Sequence, residues 1–360
     1  MSPNNDQFER LIFDIQNCSA CACMQGCSRV LSWANGSPGA DLMFVGEAPG
    51  RLGADRTGIP FHGDKAGDNF EKLLALAGLS RKQVFVTNAV LCNPRDEKGN
   101  NAPPSRNVLV QCANNLRRQI EVVRPLAVVT LGGAALEATR IIEPHCLTLS
   151  NAVRKTHDWN GLKLIPLYHP GARAMIHRNF ATQSADYYFV GEFVRRQKNP
   201  QIRRTKSSAK TLQNSWNVVR YIIENCGTLS LFRLHKILYL IDYRAFKERN
   251  EPVTMFVYIR QKDGPYCVEL GSKWFKEHSD NIKISMRDKI LHLSWIDSDL
   301  FALPAPILDE HDKGLIDAIL DEAAQISDTQ LKTRAYLTHP MKAALKAERE
   351  GYPQLNKPLL

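Results

Sequence analysis

Nineteen residues, GEAPGRLGADRTGIPFHGD (46–64), combine side-chain types that could do chemistry. They include five glycines, two prolines, three acidic residues, two arginines and a histidine, without apolar periodicity. A polar loop of this length within a compact domain is usually functional. It follows the apolar run DLMFVG, which is typical of a buried strand. Glu47 and Asp64 are therefore candidate groups for general acid–base chemistry.

The surrounding residues predict the elements that must position this loop. Apolar β-rich runs at 41–46, 84–92, 126–132 and 162–170 alternate with amphipathic helical patterns. This alternation predicts an α/β fold with a parallel sheet that is covered by helices on both faces. Ligands of such sheets bind beyond the carboxyl ends of the strands. The loops that begin at Gly46, Asn88 and His169 should therefore converge on one site.

The cysteines suggest a second kind of site. The chain has nine cysteines, and Cys18 and Cys21 form a C-x-x-C pair. Cys92 ends the second predicted strand, and Cys112 follows in the next helix. Four such thiolates could hold zinc or an iron–sulfur cluster, and spacing alone does not choose between them. Buried structural cysteines are the simpler alternative.

The charge balance indicates the class of partner. Lys and Arg number 47 against 37 Asp and Glu, which gives a formal net charge of +10. This excess favours an anionic partner, with nucleic acid first, although it could also serve only solubility. No apolar run approaches the roughly 20 residues of a membrane helix. The N-terminus does not resemble a signal peptide, so we expect a cytoplasmic protein without a membrane partner.

A change of composition divides the chain into two predicted domains. Residues 196–210 are rich in Lys and Arg and lack acidic side chains, which is typical of a linker. This linker could follow a phosphate backbone or be a solvated tether. The predicted domains are then a catalytic α/β domain at 1–195 and a smaller, mostly helical α+β accessory domain at 211–360.

Several motifs of the first domain occur together in one known family. They are the C-x-x-C pair, GEAPG, GIPFHGD, TNAVLCNP, the cysteine at 112, LG-x-x-A and YHPGA. In content and order they resemble the iron–sulfur uracil-DNA glycosylases of families 4 and 5. The resemblance implies a four-stranded parallel sheet between helices and DNA as the partner. It also implies a 4Fe–4S cluster on Cys18, Cys21, Cys92 and Cys112.

The resemblance also assigns roles within the first domain. Phe61 would stack on a base flipped out of DNA, and Asn88 would bind the polar edge of that base. Glu47, by its match to family 4, and Asp64, by its match to family 5, would place the water or stabilise the sugar cation. His169 would stabilise the departing base anion. The alternatives are a core phenylalanine, a turn cap at Asn88, a helix N-cap at Asp64 and a structural histidine.

Other residues of the same loops complete the expected pocket. Glycine and proline at the loop start let the backbone approach a base and a phosphate closely. Arg173 is a candidate for a wedge or a phosphate contact, and Arg56 is a candidate DNA contact. The residues expected at the pocket floor are Gly46, Ala48, Pro49 and Gly50.

Two departures from the family patterns concern the target base. GEAPG matches family 4, whereas GADRTGIPFHGD matches family 5 with Asp55 in place of the usual asparagine. The segment between the last two of the four cysteines is longer than is usual for family 4. The chain therefore combines features of both families. The reaction type is still predicted, but the target base is not.

The second domain shows a weaker resemblance. LHKILYLIDYRAF, KDGPYC and LKTRAYLTHP resemble the motifs of the Panacea antitoxin domain over about 212–345. The matching residues include Lys236, Tyr239, Pro265 and His339. An unrelated α+β domain is the alternative. No catalytic constellation is visible here, so we interpret this domain as a binding or regulatory module whose protein partner the sequence does not identify.

These observations together predict a monofunctional DNA glycosylase. It would flip a pyrimidine from DNA and hydrolyse its N-glycosidic bond, and uracil or another deaminated base is the first expectation. No lysine is placed to form a Schiff base, so strand cleavage is not expected. The alternatives are excision of a modified pyrimidine, such as glucosyl-hydroxymethylcytosine, from phage DNA in antiviral defence, and a non-catalytic sensor of modified bases. A variant that traps its own abasic product is a more remote alternative.

Overall fold

The computed structural model describes residues 3–21, 26–199, 212–271, 281–296 and 305–360. The chain divides into two compact units, Met1–Arg203 and Arg204–Leu360. No helix among the described residues is long and apolar enough to cross a membrane.

The first unit is built on a five-stranded sheet in the order β2-β1-β3-β5-β4. Four of these strands are parallel, as predicted, and β1 lies between β2 and β3, with Gly46 opposite Asn88 of β2. The ends of these strands therefore reach the same edge of the sheet. The strands are β1 (Leu42–Gly46), β2 (Val84–Asn88), β3 (Ala127–Leu131), β4 (His157–Trp159) and β5 (Leu162–Leu167).

The fifth strand was not predicted. Strand β4 pairs antiparallel with β5, and Asn160 and Gly161 connect them, both with positive φ. Asn-Gly is the preferred two-residue hairpin turn, because both positions tolerate left-handed backbone. The dipeptide was therefore the sequence signal for this hairpin.

Helices cover both faces of the sheet. Alternate residues of β1 face opposite cores, because successive strand side chains point to opposite sides. Met43 and Val45 pack with α1, α4 and α5, whereas Leu42 and Phe44 pack with α3 and α8. The helices are α1 (Pro3–Gln16), α2 (Ala54–Thr57), α3 (Lys65–Leu76), α4 (Arg106–Val123), α5 (Gly133–Ile142), α6 (Leu149–Ala152), α7 (Ala172–Met175) and α8 (Phe180–Lys198).

Two predicted boundaries differ in the structure. The second strand ends at Asn88 rather than at residue 92, because the chain turns there as Ala89 and Val90 donate backbone hydrogen bonds to the carbonyl groups of Gly46 and Glu47. Helix α8 continues through Lys198, so the predicted linker begins within a helix. The rest of that linker, from residue 200 onward, lies outside the described residues.

The second unit combines helices with two small antiparallel sheets. One sheet has the order β6-β10-β9, and the other pairs β7 with β8. The long central helix α10 supplies core residues such as Ile237, Leu238 and Ile241. The elements are α9 (Leu212–Cys226), β6 (Thr228–Ser230), α10 (Leu231–Arg249), β7 (Tyr258–Gln261), β8 (Gly264–Cys267), β9 (Ile282–Arg287), β10 (Ile290–Trp295), α11 (Glu310–Ala324), α12 (Asp328–Tyr336) and α13 (His339–Arg349).

The three motifs singled out in the second unit meet in its interior. Lys236 is buried and donates from Nζ to the carbonyl oxygen of Pro265 at 2.9 Å. Tyr239 shares a buried hydroxyl–hydroxyl hydrogen bond of 2.7 Å with Thr338. Burial lowers the pKa of Lys236 to about 8. These residues therefore join helix α10 to the β7–β8 hairpin and to the start of α13.

A glycine in α8 tests how closely the helices of the first unit pack. A methyl group at Gly191 would lie 2.2 Å from the carbonyl oxygen of Ala77 at the end of α3. We expect Gly191→Ala to lower the free energy of unfolding by about 1–3 kcal/mol, because the added methyl group overpacks this contact. Pulse proteolysis in urea would measure the first unit separately.

Gly314 of α11 is the matched control, since no other atom lies within 4 Å of a methyl group placed there. Gly314→Ala should stabilise the second unit by about 0.5–1 kcal/mol through helix propensity alone. Stabilisation by both substitutions would contradict the close contact at Gly191.

Candidate active site

Three residues meet where the first two strands end. Gly46 ends β1, and the side chain of Asn88 comes from the end of β2. A methyl group at Gly46 would lie 2.4 Å from Asn88 Oδ1 and 2.6 Å from the ring of Phe61. Any other residue at position 46 would therefore displace one of these two side chains. Gly46, Asn88 and Phe61 form what we call the base pocket.

The side-chain amide of Asn88 is unpaired within the part of the chain that the structure describes. The residue is only 2 % exposed, yet its side chain makes no hydrogen bond to any residue that the structure describes. Its oxygen and nitrogen are not among the fully buried, unpaired side-chain atoms of the described residues, so they still reach open space. A carboxamide that can donate and accept at once is thus available to a ligand.

Phe61 and His169 form the walls of the base pocket. The ring of Phe61 lies 5.4 Å from the His169 ring and 4.9 Å from that of Phe70 in α3. Phe61 has a φ of 52°, in the left-handed region that non-glycine residues rarely adopt. Such local strain often marks a functional position, since the fold must hold the residue there.

His169 is held as a neutral imidazole of defined tautomer. The backbone N–H of Gly171 donates to His169 Nδ1 at 3.0 Å, which places the ring proton on Nε2. Burial lowers the pKa of His169 below its usual value, and the charge of Asp64 opposes this only in part. The ring therefore presents an N–H donor at neutral pH.

Residues that the sequence interpretation missed hold the histidine loop in place. The amide of Asn69 in α3 is buried and donates to the carbonyl oxygen of Pro170 at 2.9 Å. Gln183 of α8 donates to the carbonyl oxygen of His169 at 3.3 Å. Arg178 forms a bidentate ion pair with the fully buried Asp186 of the same helix. A polar residue beside Phe70 on the buried face of α3 was the available signal for Asn69.

Glu47 follows β1 directly and is partly buried. Burial raises its pKa, and the positive charge of Arg173 partly offsets this. Glu47 and Arg173 therefore lie close enough to influence each other, although they come from loops after β1 and β5. A carboxylate with a raised pKa is a better proton acceptor than an ordinary one.

Asp64 occupies the first position before α3. Its Oδ1 accepts the backbone N–H of Gly67 at 2.8 Å, so Asp64 is a helix N-cap. Its Oδ2 lies against Gly50 and Gly53, where added methyl groups would come within 3.0 and 2.5 Å. One carboxylate therefore ties the beginning of the polar loop to the helix that ends it.

Asp55 also has a structural partner. It pairs with Arg95 at 2.6 Å and accepts the backbone N–H of Ser28 at 3.2 Å. The residue that departs from the family 5 pattern thus connects the loop to two other segments. It does not reach the base pocket through any contact that the structure shows.

Four exposed cations and one exposed apolar side chain lie on the segments that follow β1 and β5. Arg51, Arg56, Lys65 and Arg173 are exposed and form no ion pair with any described residue. All four follow β1 or β5 at the carboxyl edge of the sheet. Ile176 is 81 % exposed just beyond α7, and no sequence pattern had indicated it. This combination suits a phosphate backbone and a base stack.

The four predicted cluster cysteines line one cavity, together with Arg29 and Gln111. Burial raises the pKa of Cys92 to about 12, with a contribution from the nearby Cys112. Burial likewise raises the pKa of Cys112. These thiols would repel one another if they ionised without a metal. A bound metal centre would favour their thiolate forms, because thiolates are the forms that ligate metals. In the described part of the chain, no three His, Cys, Asp or Glu side chains form a site for a single metal ion. The cysteines are Cys18, Cys21, Cys92 and Cys112.

Comparison with family models agrees with both resemblances. Residues 33–189 match the model described as the uracil DNA glycosylase superfamily. Residues 234–340 match the model described as antitoxin SocA-like, Panacea domain. The first match spans the base pocket and the histidine loop, and the second spans the three motifs that meet in the second unit.

Curated relatives agree with the first match. A type-4 uracil-DNA glycosylase of Archaeoglobus fulgidus is 33 % identical over 162 residues, or 44 % of this chain and 78 % of the relative. One of Sulfurisphaera tokodaii is 31 % identical over 175 residues, or 46 % and 76 %. A type-5 uracil-DNA glycosylase of Pyrobaculum aerophilum is 37 % identical over 116 residues, or 29 % and 49 %.

Fold and comparisons define the class of the first unit as a DNA glycosylase, a hydrolase of N-glycosyl bonds. The chain belongs to the uracil DNA glycosylase superfamily, and residues 234–340 of its second unit are similar to the antitoxin SocA-like Panacea domain.

A substitution at Gly46 tests the base pocket. Gly46→Ala should lower the rate of base release by about 100-fold or more, because the methyl group would displace Asn88 or Phe61. Binding to an oligonucleotide that already holds an abasic site should change by less than about threefold, since no base enters the pocket. Base release in single turnover and binding by anisotropy would measure both.

An equal loss of base release and of abasic-site binding would contradict this assignment. It would mean that Gly46 supports the loop as a whole rather than the space for a base.

Proposed function

We propose that the first unit excises uracil, or another deaminated pyrimidine, from DNA and leaves an abasic site. The observation that carries this proposal is the side chain of Asn88, which lies with the Phe61 ring against Gly46 and has no hydrogen bond to any described residue. A base cannot reach such a pocket from within a duplex, so it must first be flipped out.

Asn88 and Phe61 would recognise the flipped base. A carboxamide donates to O4 and accepts from N3–H of uracil, and this pair of contacts distinguishes uracil from an unmodified cytosine bound in the same orientation. The Phe61 ring would stack on the base, which is worth about 1–3 kcal/mol. His169 would face the opposite edge through its Nε2–H.

His169 would stabilise the departing base. As the glycosidic bond breaks, negative charge develops on the base, and the neutral Nε2–H of His169 can donate to its oxygen. Because burial already holds the pKa of His169 low, the imidazole gives no proton away in this role. Base release should not show a transition near the ordinary histidine pKa.

Glu47 would hold the attacking water as its general base. Its raised pKa suits proton acceptance, and Arg173 keeps the carboxylate available at neutral pH. We assign Asp64 a narrower role than catalysis, since one of its oxygens caps α3 and the other packs against the loop glycines.

DNA would lie across the carboxyl edge of the sheet. We propose that Arg51, Arg56, Lys65 and Arg173 contact phosphates, because all four are exposed and unpaired among the described residues. The exposed Ile176 would enter the space that the flipped base leaves, as apolar wedges do in bent duplexes.

We also propose that the cysteine cavity holds a 4Fe–4S cluster. Cys18, Cys21, Cys92 and Cys112 would be its ligands, since they line one cavity and the charge of Arg29 favours thiolate there. When bound, such a cluster would join α1, the end of β2 and α4 covalently. No step of base release requires it to change its charge.

A second candidate function follows from the second unit. A repair enzyme has no evident need of a domain that matches an antitoxin family. Excision of a modified pyrimidine from phage DNA would give such a domain a place in antiviral defence. This candidate shares the pocket and the reaction with the first and differs in the base.

Base release from defined oligonucleotides tests both candidates. Uracil, hypoxanthine, cytosine, hydroxymethylcytosine and glucosyl-hydroxymethylcytosine would each be offered, with alkali cleavage as the measure of abasic sites. We expect release of uracil, with His169→Asn about 100-fold slower because the shorter carboxamide places no N–H at the position of Nε2. This variant also controls for contaminating glycosylases.

Release from modified cytosines alone would replace the first candidate by the second. Binding without release from any base would contradict both, and would favour the sensor of modified bases.

The pH dependence of base release tests Glu47. The rate should rise with pH as Glu47 loses its proton, with a midpoint above the ordinary glutamate value of 4.5 because burial raises this pKa. Glu47→Gln should abolish this limb and lower the plateau by about 10²–10⁴-fold. Arg173→Gln should move the limb to higher pH, since its charge lowers the pKa of Glu47. An unchanged limb in Glu47→Gln would assign the water to another group.

A further inference from the structure

One buried side chain links the cysteine cavity to the polar loop 46–64. We call this loop the catalytic loop because it carries Glu47. Asn93 follows Cys92 directly and is only 1 % exposed. Its Nδ2 donates to the carbonyl oxygen of Pro49 at 2.7 Å, two residues beyond Glu47. The same nitrogen donates to Oδ1 of Asn101 at 3.0 Å.

The second contact extends to the next part of the loop. Asn101 Oδ1 also accepts the backbone N–H of Arg51 at 2.8 Å. The hydrogen-bonded pair of Asn93 and Asn101 thus binds both Pro49 and Arg51. Gly50, between these two, packs against Asp64. The position of Asn93 therefore restrains the conformation of the backbone that follows Glu47.

The orientation of the Asn93 amide follows from its partners. Both contacts are oxygen acceptors, so only the NH₂ end can face them. The carbonyl oxygen of this amide is then left buried without a hydrogen bond among the described residues. This unmet acceptor offsets part of the stability that the two donated hydrogen bonds contribute.

Asn93 is also tied to the cysteine side. Its backbone carbonyl accepts from the thiol of Cys27 at 3.3 Å. Cys27 and Cys18 contribute to the raised pKa of Cys92, so these thiols lie close together. A covalent bond from Cys92 to a bound cluster would therefore also restrain Asn93, the next residue, which binds the catalytic loop.

We propose that Asn93 is a positioning residue that transmits the occupancy of the cysteine cavity to the loop that carries Glu47. This inference rests on the proposed cluster. With the cluster bound, Cys92 is anchored and Asn93 holds Pro49 and Arg51 in register. Without the cluster, Asn93 loses its anchor and the loop opens locally more often.

Hydrogen exchange in the full-length, cluster-containing protein tests this inference. The Arg51 amide is the reporter, because its hydrogen bond to Asn101 depends on Asn93. Asn93→Leu keeps the approximate size of the side chain but removes the donor. We expect peptides covering 48–53 to exchange about tenfold faster, with the visible absorbance of the cluster retained.

The same variant should show a defined kinetic pattern. The kcat for base release should fall by about 30-fold or more, and KM should change by less than about threefold. Asn35→Leu is the matched control, since Asn35 is fully buried and its amide donates to the carbonyl oxygen of Val86 at 2.8 Å. This control should lower stability without changing exchange at 48–53 or kcat.

Removal of the cluster from the unmodified chain with a chelator under oxidising conditions gives the second arm. Exchange at 48–53 should rise to the level of Asn93→Leu, and removal of the cluster from that variant should raise it little further. Unchanged exchange after cluster loss would overturn the coupling, even if Asn93→Leu does not fold.

These outcomes separate this inference from the proposed function. A coloured protein whose loop exchange ignores the cluster would refute the coupling alone. A protein purified without oxygen that holds no iron would refute the cluster and this inference together, while base release would still test the glycosylase.

Discussion

The candidate active site depends on one steric constraint, which is the absence of a side chain at the end of β1. Gly46 lies opposite Asn88 in the parallel register, and the Phe61 ring closes over both. Only a residue without Cβ allows two side chains to approach the strand this closely. Phe61 and His169 pack side by side there, and Glu47 follows Gly46 directly in the chain.

Hydrogen bonds from residues outside the base pocket hold the polar side chains beside it and the loops that carry them. Gly171 sets the tautomer of His169, while Asn69 and Gln183 fix the backbone of the histidine loop. Asp64 closes the polar loop onto α3. Catalysis by fixed dipoles needs such support, since a donor that must reorganise during the reaction stabilises charge less well.

The second unit differs from the first in how its polar groups are used. Buried Asp242 accepts hydrogen bonds from Thr254 and Tyr258, so it is satisfied within its own core. Lys236 and Tyr239 are likewise paired internally. The residues that carry the Panacea resemblance therefore stabilise this fold, and any partner must be recognised by its surface.

The sequence by itself determined the alternation of strands and helices, the convergence of the loops at Gly46, Asn88 and His169, and the family. These depend on local periodicity and on motif spacing, which are properties of the chain. The N-cap at Asp64 was among the alternatives that the sequence offered, because its partner Gly67 is only three residues away. Only the tertiary structure decided that His169 is a neutral donor and that Asn93 binds the loop after Glu47. The protonation state of His169 depends on burial, and the contact of Asn93 depends on a partner 44 residues away, so neither has a local signal in the sequence.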